Sequence, residues 1–222
     1  MRLYLIIGAV ALSAIAAPAI ADIERFNAHV VDNSAGGAGL DGFVTNRITI
    51  DFTGRWTAAA AQVDLSAGSV FNNSPLGGDT PPEEELIPVF PDVAFDTFVA
   101  VGSPTADGPW GDPAIPCSGG GICLPPPPDD HVIDISWGPE PLVEVSDQTD
   151  FLIMQLTLSS DSHGTARFLA LTEGSMPPFP VAEFRIAEGV LSPIPEPTTI
   201  ALAGLALAGL VGLTFTRSKV NP

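Results

Sequence analysis

Phe151-Leu152-Ile153-Met154-Gln155-Leu156-Thr157-Leu158 is the longest apolar run in the body of this chain, and its reading decides the fold. Eight residues bounded by Asp147-Gln148-Thr149-Asp150 on one side and Asp161-Ser162-His163 on the other have the length and the boundaries of a β-strand. Shorter runs of the same kind surround it: Ile48-Thr49-Ile50-Asp51-Phe52, Ala61-Gln62-Val63-Asp64-Leu65, Ala94-Phe95-Asp96-Thr97-Phe98-Val99 and Val132-Ile133-Asp134-Ile135-Ser136-Trp137. Thr165 to Leu171 and Val181 to Ala187 complete the set. They alternate with period two, are rich in Val, Ile, Thr and Phe, and end at Gly, Pro, Asn or Asp, whereas no stretch of the body sustains a capped stripe of period 3.6. The expectation is an all-β fold, an antiparallel β-sandwich of jelly-roll-like type.

Two long proline-rich loops interrupt the strands. Asn72 to Pro91 contains Pro75, Pro81, Pro82, Pro88 and Pro91 with Glu83-Glu84-Glu85, and Ser103 to Asp130 contains the run Pro125 to Pro128. Proline cannot donate to a ladder, so both are expected outside the sheets. The second loop also holds Cys117-Ser118-Gly119-Gly120-Gly121-Ile122-Cys123. In an exported chain a close, even pair reads as a disulfide between Cys117 and Cys123, with metal binding by the two thiols as the rival.

The two ends carry addresses. Residues 1–21 have one early cation, Arg2, the apolar stretch Leu3 to Ile15, and Ala19-Ile20-Ala21 before Asp22. That is the pattern of a signal peptide, read here as a helix removed by signal peptidase after Ala21. At the other end, Pro195-Glu196-Pro197 precedes nineteen uncharged residues, 198–216, followed by Arg217 and Lys219. As a helix the run is about 28 Å long, enough to cross a bilayer core. Positive residues beside a span stay in the cytoplasm, so Arg217 and Lys219 orient it with the body outside. Gly204, Ala208 and Gly212 share one face of that helix, a spacing that lets a second helix approach closely.

A signal peptide combined with Ile194-Pro195-Glu196-Pro197-Thr198, an Ala/Leu/Gly-rich span and a basic tail resembles the PEP-CTERM proteins, bacterial exported proteins sorted by the membrane enzyme exosortase. Ile194 and the mixed Arg217/Lys219 tail depart from the family's usual valine and arginines. The resemblance implies a single-pass membrane precursor, processed by signal peptidase and exosortase and delivered to the cell surface or the extracellular space. It divides the chain into the signal peptide 1–21, the exported domain 22–193 and the sorting signal 194–222. About the exported domain it is silent.

Charge narrows what that domain does. It holds twenty-five Asp and Glu against five Arg and no Lys, a net charge near −20. Phosphate contact needs clustered cations, so nucleic acid is excluded as a partner. Asp147, Asp150 and Asp161 flank the strand 151–158 and are candidate hard-oxygen ligands for calcium, although no spacing matches a known calcium loop. Glu83-Glu84-Glu85 reads as a solvated run. His29, His131 and His163 stand near no nucleophile elbow. Paired carboxylates for glycoside cleavage are available everywhere in so acidic a chain and therefore single out none. Trp110, in Gly108-Pro109-Trp110-Gly111-Asp112, is the candidate for stacking on a sugar, whereas Trp56 and Trp137 flank strands and are expected in the core. With no catalytic pattern, the expectation is a non-enzymatic surface or matrix protein of structural or adhesive type that needs no cofactor, with extracellular polysaccharide as a partner. The rivals are a secreted polysaccharide hydrolase or lyase, and a calcium- or carbohydrate-binding module.

Overall fold

The computed structural model describes residues 22–72, 78–115 and 131–194. The signal peptide 1–21, Cys117 and Cys123, the motif Pro195-Glu196-Pro197, the span 198–216 and the tail with Arg217 and Lys219 lie outside the described residues. Among the described residues no helix is long and apolar enough to cross a membrane.

The fold is all-β and antiparallel. Among the described residues its eight strands are β1 (Asp22–Val31), β2 (Phe43–Ala67), β3 (Phe98–Val99), β4 (Val132–Trp137), β5 (Ser146–Ser159), β6 (His163–Thr172), β7 (Val181–Ala187) and β8 (Val190–Pro193). The organising element is β2, 25 residues long. Its first half pairs with β1 on one edge and β5 on the other, and β3 continues beyond β5. Its second half pairs with β4 and β6, and β7 and β8 continue beyond β6. One strand thus belongs to two sheets. The sequence suggests two separate strands here, Ile48–Phe52 and Ala61–Leu65, and Gly54 lies in the stretch between them. Instead Gly54 takes φ 76°, a left-handed conformation that glycine adopts without penalty, and the chain turns a corner without leaving the ladder.

The same corner is built from the β5 side. Asp147 and Asp150 sit at φ 50° and 57°, a region that Asp tolerates better than most residues. The Gly54 N–H donates to Asp147 Oδ1 at 2.7 Å, and the register slips between Ile50 and Phe52 and again before Arg55. A further bulge at Ile153 lets Ile48 face Met154 while Thr49 faces Leu152. Such a bulge puts two successive residues on one face. It explains why Phe151, Ile153, Met154, Leu156 and Leu158 all reach the main core while Leu152 packs with Phe98 and Ala100.

That main core is common to both sheets, joining Ile48, Ile50 and Phe52 to Val63, Ile133, Trp137, Phe168, Phe184 and Ile186. Phe151 sits at the corner, its ring 5.4 Å from Phe52, 5.2 Å from Trp56 and 5.3 Å from Trp110. The segment Ala94–Val99, expected as a strand, is a 3-10 helix over Pro91–Phe95 followed by the two residues of β3. Pro91 at the start pre-sets the helical φ.

Candidate functional site

The strands deliver the end of the body to one place. β7 and β8 form a hairpin closed by Glu188 and Gly189, at φ 53° and 74°, the two-residue turn with both φ positive that matches strand twist. Gly189 is required for a second reason: a Cβ there would lie 2.9 Å from the Ser159 carbonyl oxygen. The hairpin is fastened to the first sheet by Asn46, a buried residue on the core face of β2. Its amide donates to the Gly189 carbonyl at 2.8 Å, and its Oδ1 accepts the Leu191 N–H at 3.2 Å. Leu191 is buried, whereas Ser192, Pro193 and Ile194 are exposed. The Ile194 N–H donates to the Glu183 carbonyl at 2.9 Å, so the ladder holds up to the residue before Pro195. Neither Asn46 nor β8 was expected from sequence. The signal for β8 was present in Glu188-Gly189 followed by Val190-Leu191-Ser192-Pro193.

The candidate calcium ligands fall into two groups. Asp147 holds the Gly54 amide, and Asp150 Oδ1 accepts the Thr49 hydroxyl at 3.0 Å. The Asp150 N–H donates to Asp51 Oδ1 at 2.8 Å, and Asp51 Oδ2 receives Arg25 Nη2 at 2.6 Å. The Asp150 amide first, and then Arg25, hold the Asp51 carboxyl below the usual carboxylate range. His29 Nε2 lies 3.6 Å from Asp150 Oδ1. Asp161 lies at the opposite end of β5, roughly 30 Å away at a strand's rise, where its Oδ1 accepts the Ser159 hydroxyl at 2.6 Å. One ion cannot take all three. Among the described residues no group of three or more His, Cys, Asp or Glu is placed to hold a metal ion.

The other candidates are likewise committed to the fold. Trp56 and Trp137 are core residues, and the Trp137 indole N–H donates to the Ala100 carbonyl at 3.2 Å. Trp110 is half-buried, packed edge-on to Phe151 and tight over Gly102, so its ring does not stand free as a platform. Near it, burial and the charges of Glu140 and Asp107 push the Asp112 carboxyl up. His163, at the start of β6, and His131, in the turn before β4, are both exposed. Glu83 and buried Asp96 line a cleft of about 230 Å³ beside Pro81 and Leu86. A shallower one of about 480 Å³ runs past Ala58, Ile115 and Trp137 with no carboxylate in its wall.

A family model for the PEP-CTERM protein-sorting motif matches residues 193–217. No curated protein and no solved structure matches the chain. The chain therefore carries a PEP-CTERM motif, and the first residue of that motif, Pro193, is the last residue of β8.

Proposed function

For a chain carrying a PEP-CTERM sorting motif, we propose the role of an exosortase-sorted bacterial surface or extracellular-matrix protein. Its body, 22–193, is read as a non-enzymatic structural or adhesive β-sandwich whose two layers are the sheets that share β2. The motif at 193–217 carries this reading. The pattern of residues 1–21 supports export, and Arg217 and Lys219 support a span with the body outside. A body with a net charge near −20 supports a solvated exterior setting. The acids first suggested for calcium serve the corner of β2 and the turn after β5, which supports a cofactor-free body.

Cell fractionation tests the routing. Glu196→Ala, or deletion of residues 195–222, is expected to leave the protein unprocessed and misplaced, and recovery of either variant in the same processed form at the same location overturns the reading. Calcium is tested by melting the purified protein at matched ionic strength in calcium chloride and sodium chloride. Equal melting temperatures support the cofactor-free body, and a rise specific to calcium, absent with magnesium, favours a calcium module.

A further inference from the structure

The sorting motif begins inside the folded body. Pro193 is its first residue and the last of β8, and Ile194 still donates to Glu183 across the ladder. No spacer separates the sheet from Pro195.

An enzyme that acts on a peptide binds it extended, through main-chain hydrogen bonds and pockets for successive side chains. The residues just before Pro195 have these groups engaged elsewhere. Leu191 is in the core and its N–H is held by Asn46. Arg185 pairs with Ser192, and Phe184 with Pro193. An enzyme gripping several residues upstream of Pro195 would need the backbone and the Leu191 side chain that the body now holds. The strap is nevertheless weak: β8 has four residues, lies at the end of its sheet and buries one side chain. Short edge elements with few buried contacts are the ones that open locally well before the rest of a domain.

We propose that β8 is a release strap, which must detach from β7 before the processing enzyme can engage the sorting motif, and that the Asn46 amide sets how often it does. This rests on the exosortase reading and concerns its regulation. Opening β8 frees Val190 to Ile194 as an extended leader to Pro195. Asn46 touches neither the enzyme nor the motif. It is a positioning residue, acting through Gly189 and Leu191.

The test follows conversion of the full chain to its processed form by pulse-chase in its native host. Cysteines at Arg185 and Ser192, cross-strand partners, tie β8 to β7 once oxidised, with the bond verified by mass. Conversion of this R185C/S192C chain is expected to slow at least about tenfold, since the opening it depends on is removed. Eight Gly/Ser residues inserted between Ile194 and Pro195 should restore conversion in the tied chain and accelerate it in the native one. Asn46→Ala should accelerate it too, by about tenfold for two lost hydrogen bonds to the strap. Because Asn46 is buried and its loss also weakens the fold itself, the spacer pair decides. Conversion of the tied chain at the native rate, or a tied chain the spacer does not rescue, overturns the proposal. Glu196→Ala is run alongside, and its conversion at the native rate would instead sink the sorting reading on which the strap depends.

Discussion

The two halves of β2 carry similar numbers of polar residues and treat them in opposite ways. From Thr45 to Phe52 nearly every residue is buried on both faces, whereas from Ala59 to Asp64 buried and accessible positions alternate. The cause is what lies over the outer face. Over the first half sits the segment 91–99, held by buried side chains. Gln155 donates to the carbonyls of Ala94 and Asp96 at 2.9 and 3.0 Å and accepts from Arg47 at 3.0 Å. The Thr157 hydroxyl donates to the Phe95 carbonyl at 2.5 Å and lies 2.9 Å from that of Thr45. Along the second half the outward positions Gln62 and Asp64 face solvent. A polar residue in a strand is therefore no sign of an open face. It marks a wet surface or the anchorage of a loop, and only its partners tell which.

The largest effect tests whether the halves are one structure. Phe168 is fully buried in the common core, edge-to-face with Phe184 at 5.7 Å. Phe168→Ala is expected to cost about 3–5 kcal/mol and to lower a single cooperative unfolding transition. Two transitions by denaturant melts, only one of them shifted, would mean that the halves fold apart. The contrast itself comes next. Thr157→Val strands the Phe95 carbonyl and should cost about 1–3 kcal/mol. Thr165→Val on the open face of β6 should stay within about 0.5 kcal/mol of zero. Equal costs would erase the distinction between a covered and an open face.

A smaller effect appears only in acid. Asp51 has its carboxyl lowered in the folded state by the Asp150 amide and Arg25, so its stabilisation is present above the unfolded value near 4 and is lost as pH falls through the folded one. The drop in melting temperature between pH 5 and pH 2.5 should therefore be smaller in Asp51→Asn than in the native chain, and an equal drop would exonerate Asp51. Last is the exposed pair Arg167–Glu183 on the open face, 3.1 Å apart with each side chain about half exposed. Arg167→Ala is expected to cost no more than about 1 kcal/mol at low salt, and the loss should fade in 1 M sodium chloride.

Local pattern reaches unevenly into this fold. Val132–Trp137 and Val181–Ala187 are strands to the residue, because each alternates cleanly and buries one face. The joining of two short runs into β2 was hidden because Gly54 is indistinguishable in sequence from a turn glycine, and its role depends on Asp147, 93 residues away. β1 was missed because its bulge between Ile23 and Arg25 throws the alternation out of phase. The sorting motif was readable in full, since an address is written in contiguous residues. Asn46 was not, because a buried amide owes its meaning to partners about 145 residues away.

The length of β2 also sets a timetable. A chain that emerges N-terminus first presents the first half of β2 with β1 alone to pair with, and β5 begins about eighty residues after β2 ends. At the roughly 5–20 residues per second of synthesis, that interval lasts about 4–16 s. Throughout it a 25-residue strand waits with an unpaired edge, the kind of template on which chains join one another. Arg47, Asp51, Arg55 and Asp64 are spaced along that strand and break it into stretches too short and too charged to stack. Substitutions that leave the finished protein stable can therefore still lower its yield, by removing the charges that guard β2 while its partners are unmade.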